Sequence, residues 1–307
     1  MRALLVVNPK ATATSRRSRD VLIRAMGSDL KVDVAETVRR GHALDLAKQA
    51  VHDGLDVVIA LGGDGTVNEV VNGLLAGGPD PSLPALAVVP SGSANVFART
   101  LGLPASPVEA TGLILDALRT DSRRTVGLGR ADERWFTFCA GFGLDAEIVR
   151  VVERRRRAGK RATGGLYVRS ALSHFYGAAD RKQPAITLER PGHAPEGHLF
   201  LGIVANTDPW TYLGNRPVRP TPEASFDTGL DLFAPRRLRT GTTLRLVGGM
   251  FHGRPPHASR SLLYHHDLAT FTLQADRPLA LQVDGDYLGE REQVRFSAVP
   301  RALQVVV

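Results

Sequence analysis

The stretch DVVIALGGDGTVNEVVNGLL, residues 56–75, decides how the chain is read. Its first six residues form a short β-branched run, the pattern of a central strand. From Thr66 the positions Val67, Val70, Val71, Leu74 and Leu75 share one helical face, and Gly77-Gly78-Pro79 ends the pattern. Between strand and helix stand Gly62, Gly63, Asp64 and Gly65. Glycines at such a turn let the backbone approach a ligand and direct its N–H groups outward. The following helix adds the positive end of its dipole. Such a nest attracts phosphate. A carboxylate among those amides repels bare phosphate unless a divalent cation lies between them. Asp64 therefore reads as the group that holds Mg²⁺, directly or through water, on the phosphates of a nucleotide. Thr66 is the expected helix N-cap or a phosphate contact, and its spacing to Glu69 fits a capping box. The plainer alternative is a tight strand-helix turn with Asp64 merely exposed.

Working outward, the first 120 or so residues repeat this strand-helix alternation. ALLVV (3–7), KVDVAET (31–37) and ALAVVP (85–90) read as strands. TSRRSRDVLIRAM, with Val21, Leu22 and Met26 inward, HALDLAKQAV (42–51) and SANVFARTLG (93–102) read as helices. Repeated βα units of this length predict a parallel sheet covered by helices. VVPSGSANVFAR (88–99) repeats the central design, with a glycine turn and a helix opened by Ser93 and Asn95. VVNPK (6–10) ends the first strand and places Asn8 and Lys10 near the same crevice, where ligands of such sheets collect.

After about residue 122 the texture changes. DAEIVRVVERRRR and GLYVRSALSHFYG still look helical, but PAITLER, HLFLGIVAN, LDLFAP, TTLRLVG, ATFTLQA, LALQVDG and VRFSAV are short runs between turns. They predict a β-rich second domain, sandwich or barrel-like. The expected division is 1–122 for the α/β domain, with the tail 295–307 rejoining it, and 123–294 for the β-rich domain.

Composition narrows the partners. At 307 residues, two domains are the better expectation, and 43% hydrophobic residues supply a sizeable core. The single Cys139 excludes an internal disulfide and suits a reducing cytoplasm. The N-terminal apolar run is too short for a signal peptide, and no later run approaches a membrane span of ~18–20 residues. A net charge of +8 favours anionic partners: nucleotide, anionic lipid surface or nucleic acid. No aromatic-rich platform accompanies the charge, which argues against nucleic acid.

NPK near the start, GGDGTVNEV, PSGSANVFARTLG, GFGLDAEIV, FDTGLDLF and VDGD occur in the order found in the diacylglycerol kinase catalytic-domain family, and the chain resembles that family along nearly its whole length. The family includes bacterial soluble lipid kinases and sphingosine kinases and is more distantly similar to NAD kinases. The resemblance implies an α/β nucleotide-binding domain and a β-rich domain, with the active site in the interdomain cleft. It implies ATP as co-substrate, contacted by Gly62, Gly63, Asp64, Gly65, Thr66, Val67 and Asn68, with Asp64 acting through Mg²⁺. Thr37 matches a threonine near the nucleotide, and Ser93 stands where many relatives carry threonine. Val96 departs from relatives that carry an aspartate of the magnesium network there.

In VDGD the resemblance makes Asp286 the base that accepts the proton of a lipid hydroxyl, where relatives commonly carry glutamate. The side chain is one methylene shorter, a loss of reach of roughly 1–1.5 Å. The alternative is an Asp-Gly hairpin turn. EASFDTGLDLF (223–233) resembles a segment that holds a second Mg²⁺, with Asp227 as ligand and Asp231 as partner; two aspartates at a β-turn are the other reading. GFGLDA (141–146) fits G-x-G-x-x-A, but no strand ending in an acid follows as a dinucleotide fold requires. A local structural role for Asp145 stands beside a catalytic one. ERRRRAGKR (153–161), flanked by Arg150 and Arg169, reads as a solvated helical face or a headgroup-binding patch. The pair His265-His266 reads as structural.

The expected protein is an ATP- and Mg²⁺-dependent lipid kinase, cytoplasmic and transiently bound to the anionic inner membrane surface, with diacylglycerol as the first candidate acceptor. Sphingoid or polyprenol alcohols and NAD are the rival acceptors, and a non-enzymatic nucleotide-binding regulator is the rival class. A second copy of the chain is a further candidate partner.

Overall fold

The computed structural model describes residues 1–9, 16–29, 31–157 and 183–307; Lys10, Arg169 and the expected helix at 165–177 lie outside them. The chain forms two compact units, Met1–Gly127 with Arg301–Val307, and Leu128–Pro300.

The first unit runs β1 (Arg2–Val7), α1 (Arg16–Asp29), β2 (Lys31–Glu36), α2 (His42–His52), β3 (Val57–Gly62), α3 (Asp64–Leu74), β4 (Ala85–Pro90), α4 (Val96–Thr100) and α5 (Pro107–Thr120). Its sheet has the order β2-β1-β3-β4, extended beyond β4 by Val305, and every pairing is parallel. β3 and β4 are buried at every position, as a sheet covered on both faces requires. Ala3, Leu5 and Val7 align with Val57, Ile59 and Leu61 and with Ala85, Ala87 and Val89 against Leu22 and Met26 of α1 and Ile114 of α5. α2 and α3 pack together, and Gly73 makes this possible: a Cβ there would lie 2.6 Å from the Ala47 Cβ. The strand order reverses between β1 and β3, so a crevice opens at their carboxyl ends.

Two local differences from the sequence reading have clear causes. The helix expected over 93–102 is only Val96–Thr100, because Asn95 adopts the left-handed conformation, φ 49°, before it. The unanticipated α5 carries a start signal, since Pro107 stands at its first turn and Ser106 accepts from the Glu109 N–H at 3.4 Å.

In the second unit the strands are β5 (Arg123–Ala131), which enters from the first, β6 (Arg134–Phe136), β7 (Cys139–Gly143), β8 (Ile186–Glu189), β9 (Glu196–Leu199), β10 (Leu201–Ala205), β11 (Thr211–Leu213), β12 (Arg216–Val218), β13 (Leu230–Pro235), β14 (Leu262–Leu268), β15 (Thr270–Val283) and β16 (Asp286–Val306), whose end returns to the first unit. Among the described residues its helices are α6 (Leu144–Arg157) and α7 (Thr240–Gly249). The main path β14-β13-β10-β7-β15-β16 is antiparallel, with β8 and β9 beside β15. Phe136, Phe142, Phe271, Leu273 and Phe296 are among its core residues.

TTLRLVG, expected as a strand, lies in α7. A run this short satisfies both periods. The helix is selected by tertiary packing: Leu246 and Met250, one turn apart, rest against Ile203, Phe233 and Leu262. Among the described residues no helix is long and apolar enough to cross a membrane.

Candidate active site

In the first unit the strand ends are level. Val7 is in register with Leu61 and Glu36, and Gly62 with Pro90, so the loops at Asn8, Thr37, Gly63 and Ser91 leave one sheet edge. Backbone bonds tie them at that edge: Asn8 N–H to Leu61 O at 3.1 Å, Thr37 N–H to Val7 O at 2.8 Å, and Ser91 N–H to Gly62 O at 3.0 Å. Across the switch point, Asn8 Nδ2 donates to Thr66 Oγ1 at 3.0 Å. A Cβ on Gly62 would lie 2.5–2.8 Å from the Thr66 side chain, so only glycine admits that threonine.

α3 begins at Asp64, two residues before the expected start, with Gly63 as its N-cap and no side-chain cap. Thr66 is therefore not the N-cap. Glu69 does not close a capping box either. It reaches α2 instead, accepting from Gly41 N–H at 2.8 Å and Ala43 N–H at 3.2 Å. The first N–H groups of α3 and its positive end are left to the loop edge.

The two glycine loops abut. A Cβ on Gly92 would fall 2.6 Å from Gly63 Cα and 2.9 Å from Asn95 Oδ1. Asn95 closes its own loop, accepting from Gly92 N–H at 2.8 Å and donating to Gly92 O at 3.0 Å. Asp64 is half-buried and joins the loops, its Oδ1 accepting from Phe97 N–H at 3.2 Å in the first turn of α4. The carboxylate thus lies at two helix starts, which favour its charge. Val67 and Asn68 are buried, and Asn72 Nδ2 donates to Asn68 Oδ1 at 3.1 Å. Val96 is also buried, Ser93 is exposed, and Ser91 Oγ is buried with no hydrogen-bond partner among the described residues.

These residues fit a nucleotide phosphate and its metal. The glycine edge and helix start supply N–H donors, and the Ser91 hydroxyl is unsatisfied. Mg²⁺ carried on phosphates needs only one or two protein carboxylates, and Asp64 supplies one.

In the second unit, Asp284 and Gly285 form the two-residue turn between β15 and β16, with φ of 49° and 82° and Val283 in register with Asp286. That is the Asp-Gly hairpin weighed from the sequence. Asp284 is buried, and its carboxylate accepts four hydrogen bonds: Thr137 N–H at 2.7 Å, Thr137 Oγ1 at 2.9 Å, and Phe138 and Cys139 N–H at 3.1 Å each. From the other side, buried Gln282 accepts from Gly285 N–H at 2.9 Å and donates to Asp145 Oδ2 at 3.0 Å. Burial pushes the Asp145 carboxyl up to about 6, against the lowering effect of the Gln282 hydrogen bond. Asp286, partly exposed, begins β16 from this clamped turn.

The remaining candidates are engaged elsewhere. Asp231 is fully buried; its Oδ1 meets His266 Nδ1 at 2.7 Å and accepts from Asp267 N–H at 3.1 Å, and its Oδ2 accepts from Tyr264 at 3.3 Å. Burial raises its pKa and these bonds oppose the rise. Asp227 is exposed, and among the described residues no three His, Cys, Asp or Glu side chains converge to hold a metal. His265 bonds Glu196 at 2.9 Å, and Arg150 is engaged by Glu147, by Glu290 at 3.1 Å and by the Tyr287 ring. Gln282, Asp284 and Thr137 were not found from the sequence. The one signal in the sequence is a polar residue, Gln282, within the otherwise apolar run Leu279–Val283.

Residues 2–130 match the family described as "Diacylglycerol kinase catalytic domain". A Stenotrophomonas maltophilia (strain K279a) protein named "Probable lipid kinase YegS-like" is 30% identical, over 96% of this chain and 93% of its own length. A diacylglycerol kinase of Staphylococcus aureus (strain Newman) is 34% identical over 46% of this chain and 44% of its own. Among solved structures, a diacylglycerol kinase from Bacillus anthracis str. Sterne has a TM-score of 0.71 at 19% identity, covering 99% of this chain and 96% of that one. An NAD kinase from Archaeoglobus fulgidus in complex with ATP has a TM-score of 0.53 at 12% identity, covering 100% and 94%. At those identities the structural likeness carries the fold alone.

Proposed function

The chain belongs to the diacylglycerol kinase catalytic-domain family of lipid kinases, and from that premise we propose that it transfers the γ-phosphate of ATP to the hydroxyl of a lipid alcohol, diacylglycerol first among them. The observation that carries this reading is the pair of abutting glycine loops at the switch point, with Asp64 held between two helix starts. Backbone N–H groups of that edge bind the phosphates, Asn8 orients Thr66 beside them, and Asp64 would hold the metal. Mg²⁺, when bound, would neutralise phosphate charge.

In the second unit, Asp286 orients the acceptor hydroxyl and takes its proton as the hydroxyl oxygen bonds to the γ-phosphorus, while the bond from that phosphorus to the bridging oxygen breaks and ADP leaves. A carboxylate is a weak base, but phosphoryl transfer is largely dissociative, so deprotonation comes late and positioning matters more. The clamp on the turn serves that positioning: Asp284 and Gln282 fix the residues on which Asp286 stands.

Incubation with γ-labelled ATP, Mg²⁺ and a panel of lipid alcohols, with NAD alongside, tests the assignment. Label enters a lipid hydroxyl, and Asp286→Asn lowers turnover by about 10²–10⁴-fold with ATP binding retained. Exclusive labelling of NAD, or full turnover in folded Asp64→Asn and Asp286→Asn proteins, would overturn it.

A further inference from the structure

We propose that the outer face of α7, with the arginines around it, is the surface through which this chain docks on an anionic bilayer. α7 has no fully buried residue. One stripe, Leu246 and Met250, packs against the β-sheet core. A second stripe, Leu244, Val247 and Phe251, is 61%, 44% and 40% exposed. Steps of three and four residues place these three on one side of the helix and the turn that continues it. A surface helix ordinarily turns polar residues outward, whereas this second apolar stripe joins no core cluster among the described residues.

Along its own stretch of chain the charge is of one sign. From Leu232 to His266 the chain contains six arginines and no aspartate or glutamate. Arg236 pairs with Glu196 at 3.4 Å, while Arg237, Arg239, Arg245, Arg254 and Arg260 are exposed. An exposed Leu-Val-Phe stripe on a stretch of chain whose exposed charges are all arginine matches the requirements of an interfacial helix, with apolar side chains among the acyl chains and guanidinium groups at anionic headgroups. A second copy of this chain is the poorer occupant, since it would bring five like charges against five. The purpose of the surface, but not its geometry, rests on the lipid-kinase reading: an enzyme whose acceptor lies in a bilayer must dwell there.

Co-sedimentation with phosphatidylcholine vesicles, with and without one quarter phosphatidylglycerol, tests the surface. The wild type binds the anionic vesicles, binds pure phosphatidylcholine at least about tenfold more weakly, and is released by salt. Leu244→Ser/Val247→Ser/Phe251→Ser lowers vesicle affinity by about tenfold or more at an unchanged melting temperature. Arg239→Gln and Arg245→Gln each lower it by about fivefold on anionic vesicles only; these variants keep the test valid should the triple variant fail to fold. Turnover on a water-dispersed short-chain acceptor stays at the wild-type level in all of them. Its absence from the wild type would sink the kinase reading and leave the docking surface standing. Unchanged vesicle binding in the triple and arginine variants would overturn the proposal. So would a wild-type dimer that the triple variant converts to monomer with no effect on vesicles, which would assign the stripe to a second copy.

Discussion

Two acidic turns carry the proposed chemistry, and they are held in opposite ways. Around Asp64 the decisive feature is missing side chains: Gly62, Gly63 and Gly92 let two loops touch, and helix starts do the rest. Under Asp286 the decisive feature is inserted side chains. Asp284 reaches a strand approach 145–147 positions earlier, and Gln282 reaches Asp145, 137 positions away. The first turn is built by close backbone approach with contacts 33 and 58 positions apart, the second by buried polar contacts 137–147 positions apart. Such contacts cost more when one partner is lost, because the other remains buried and unsatisfied.

The largest effect is therefore expected at a residue with no direct part in the chemistry. Asp284→Ala leaves three buried N–H groups and the Thr137 hydroxyl without their acceptor, a loss of about 4 kcal/mol at 1–3 kcal/mol per orphaned group with partial relaxation. Urea denaturation measures it. A loss below about 1 kcal/mol would mean that water replaces the carboxylate and that the contrast between the turns is false. Next comes Gly92→Ala in the first unit, where the new methyl meets backbone, which cannot step aside. About 2–3 kcal/mol of stability is lost, with ATP affinity falling as the loops part. Gly77→Ala, at a site where a Cβ meets nothing within 4 Å, is the matched control and leaves both unchanged.

This contrast explains which parts were legible beforehand. The βα alternation, the glycine turns and the shared sheet edge are written in consecutive residues, so strand and helix periods revealed them. Asp286 became a candidate only through resemblance, because its support comes from Thr137, Cys139 and Asp145, and single-chain periodicity carries no information about which distant segments meet. α7 failed for a related reason. Thr-Thr-Leu-Arg-Leu-Val-Gly suits either period, and the packing of Leu246 and Met250 on Ile203 and Phe233 decides between them. Asp231 was equally opaque: a carboxylate that looked available to metal is enclosed by His266, Asp267 and Tyr264.

Asp145 gives a third, pH-dependent contrast. Its folded pKa of about 6 lies above the ordinary carboxylate value, chiefly through burial. The folded chain thus holds this proton more tightly than the unfolded chain. Stability from this group is full below the unfolded pKa, declines as pH rises toward 6, and stays lower above it. Asp145→Asn removes the charge and keeps an oxygen for Gln282. It should stabilise the protein by about 3 kcal/mol at neutral pH, with the advantage vanishing as pH falls below about 4. A difference independent of pH would show that the carboxyl does not titrate in this range.

The smallest effect belongs to Glu69, and it probes the comparison from the other side. Glu69 sits inside the first unit, yet its carboxylate caps α2, 26–28 positions earlier, through Gly41 and Ala43. It is one of the first unit's own long-range polar contacts, but it lies only partly buried at a helix end. Water can satisfy those N–H groups when the carboxylate is gone, so Glu69→Ala should cost only about 1 kcal/mol, the usual worth of an N-cap. Thermal unfolding of the two single variants side by side makes the point. If Glu69→Ala destabilises as much as Asp284→Ala, burial of the donors does not govern the cost. If it stays near 1 kcal/mol while Asp284→Ala reaches about 4, burial of the orphaned donors is the governing quantity, and the turn under Asp286 is rigid for that reason.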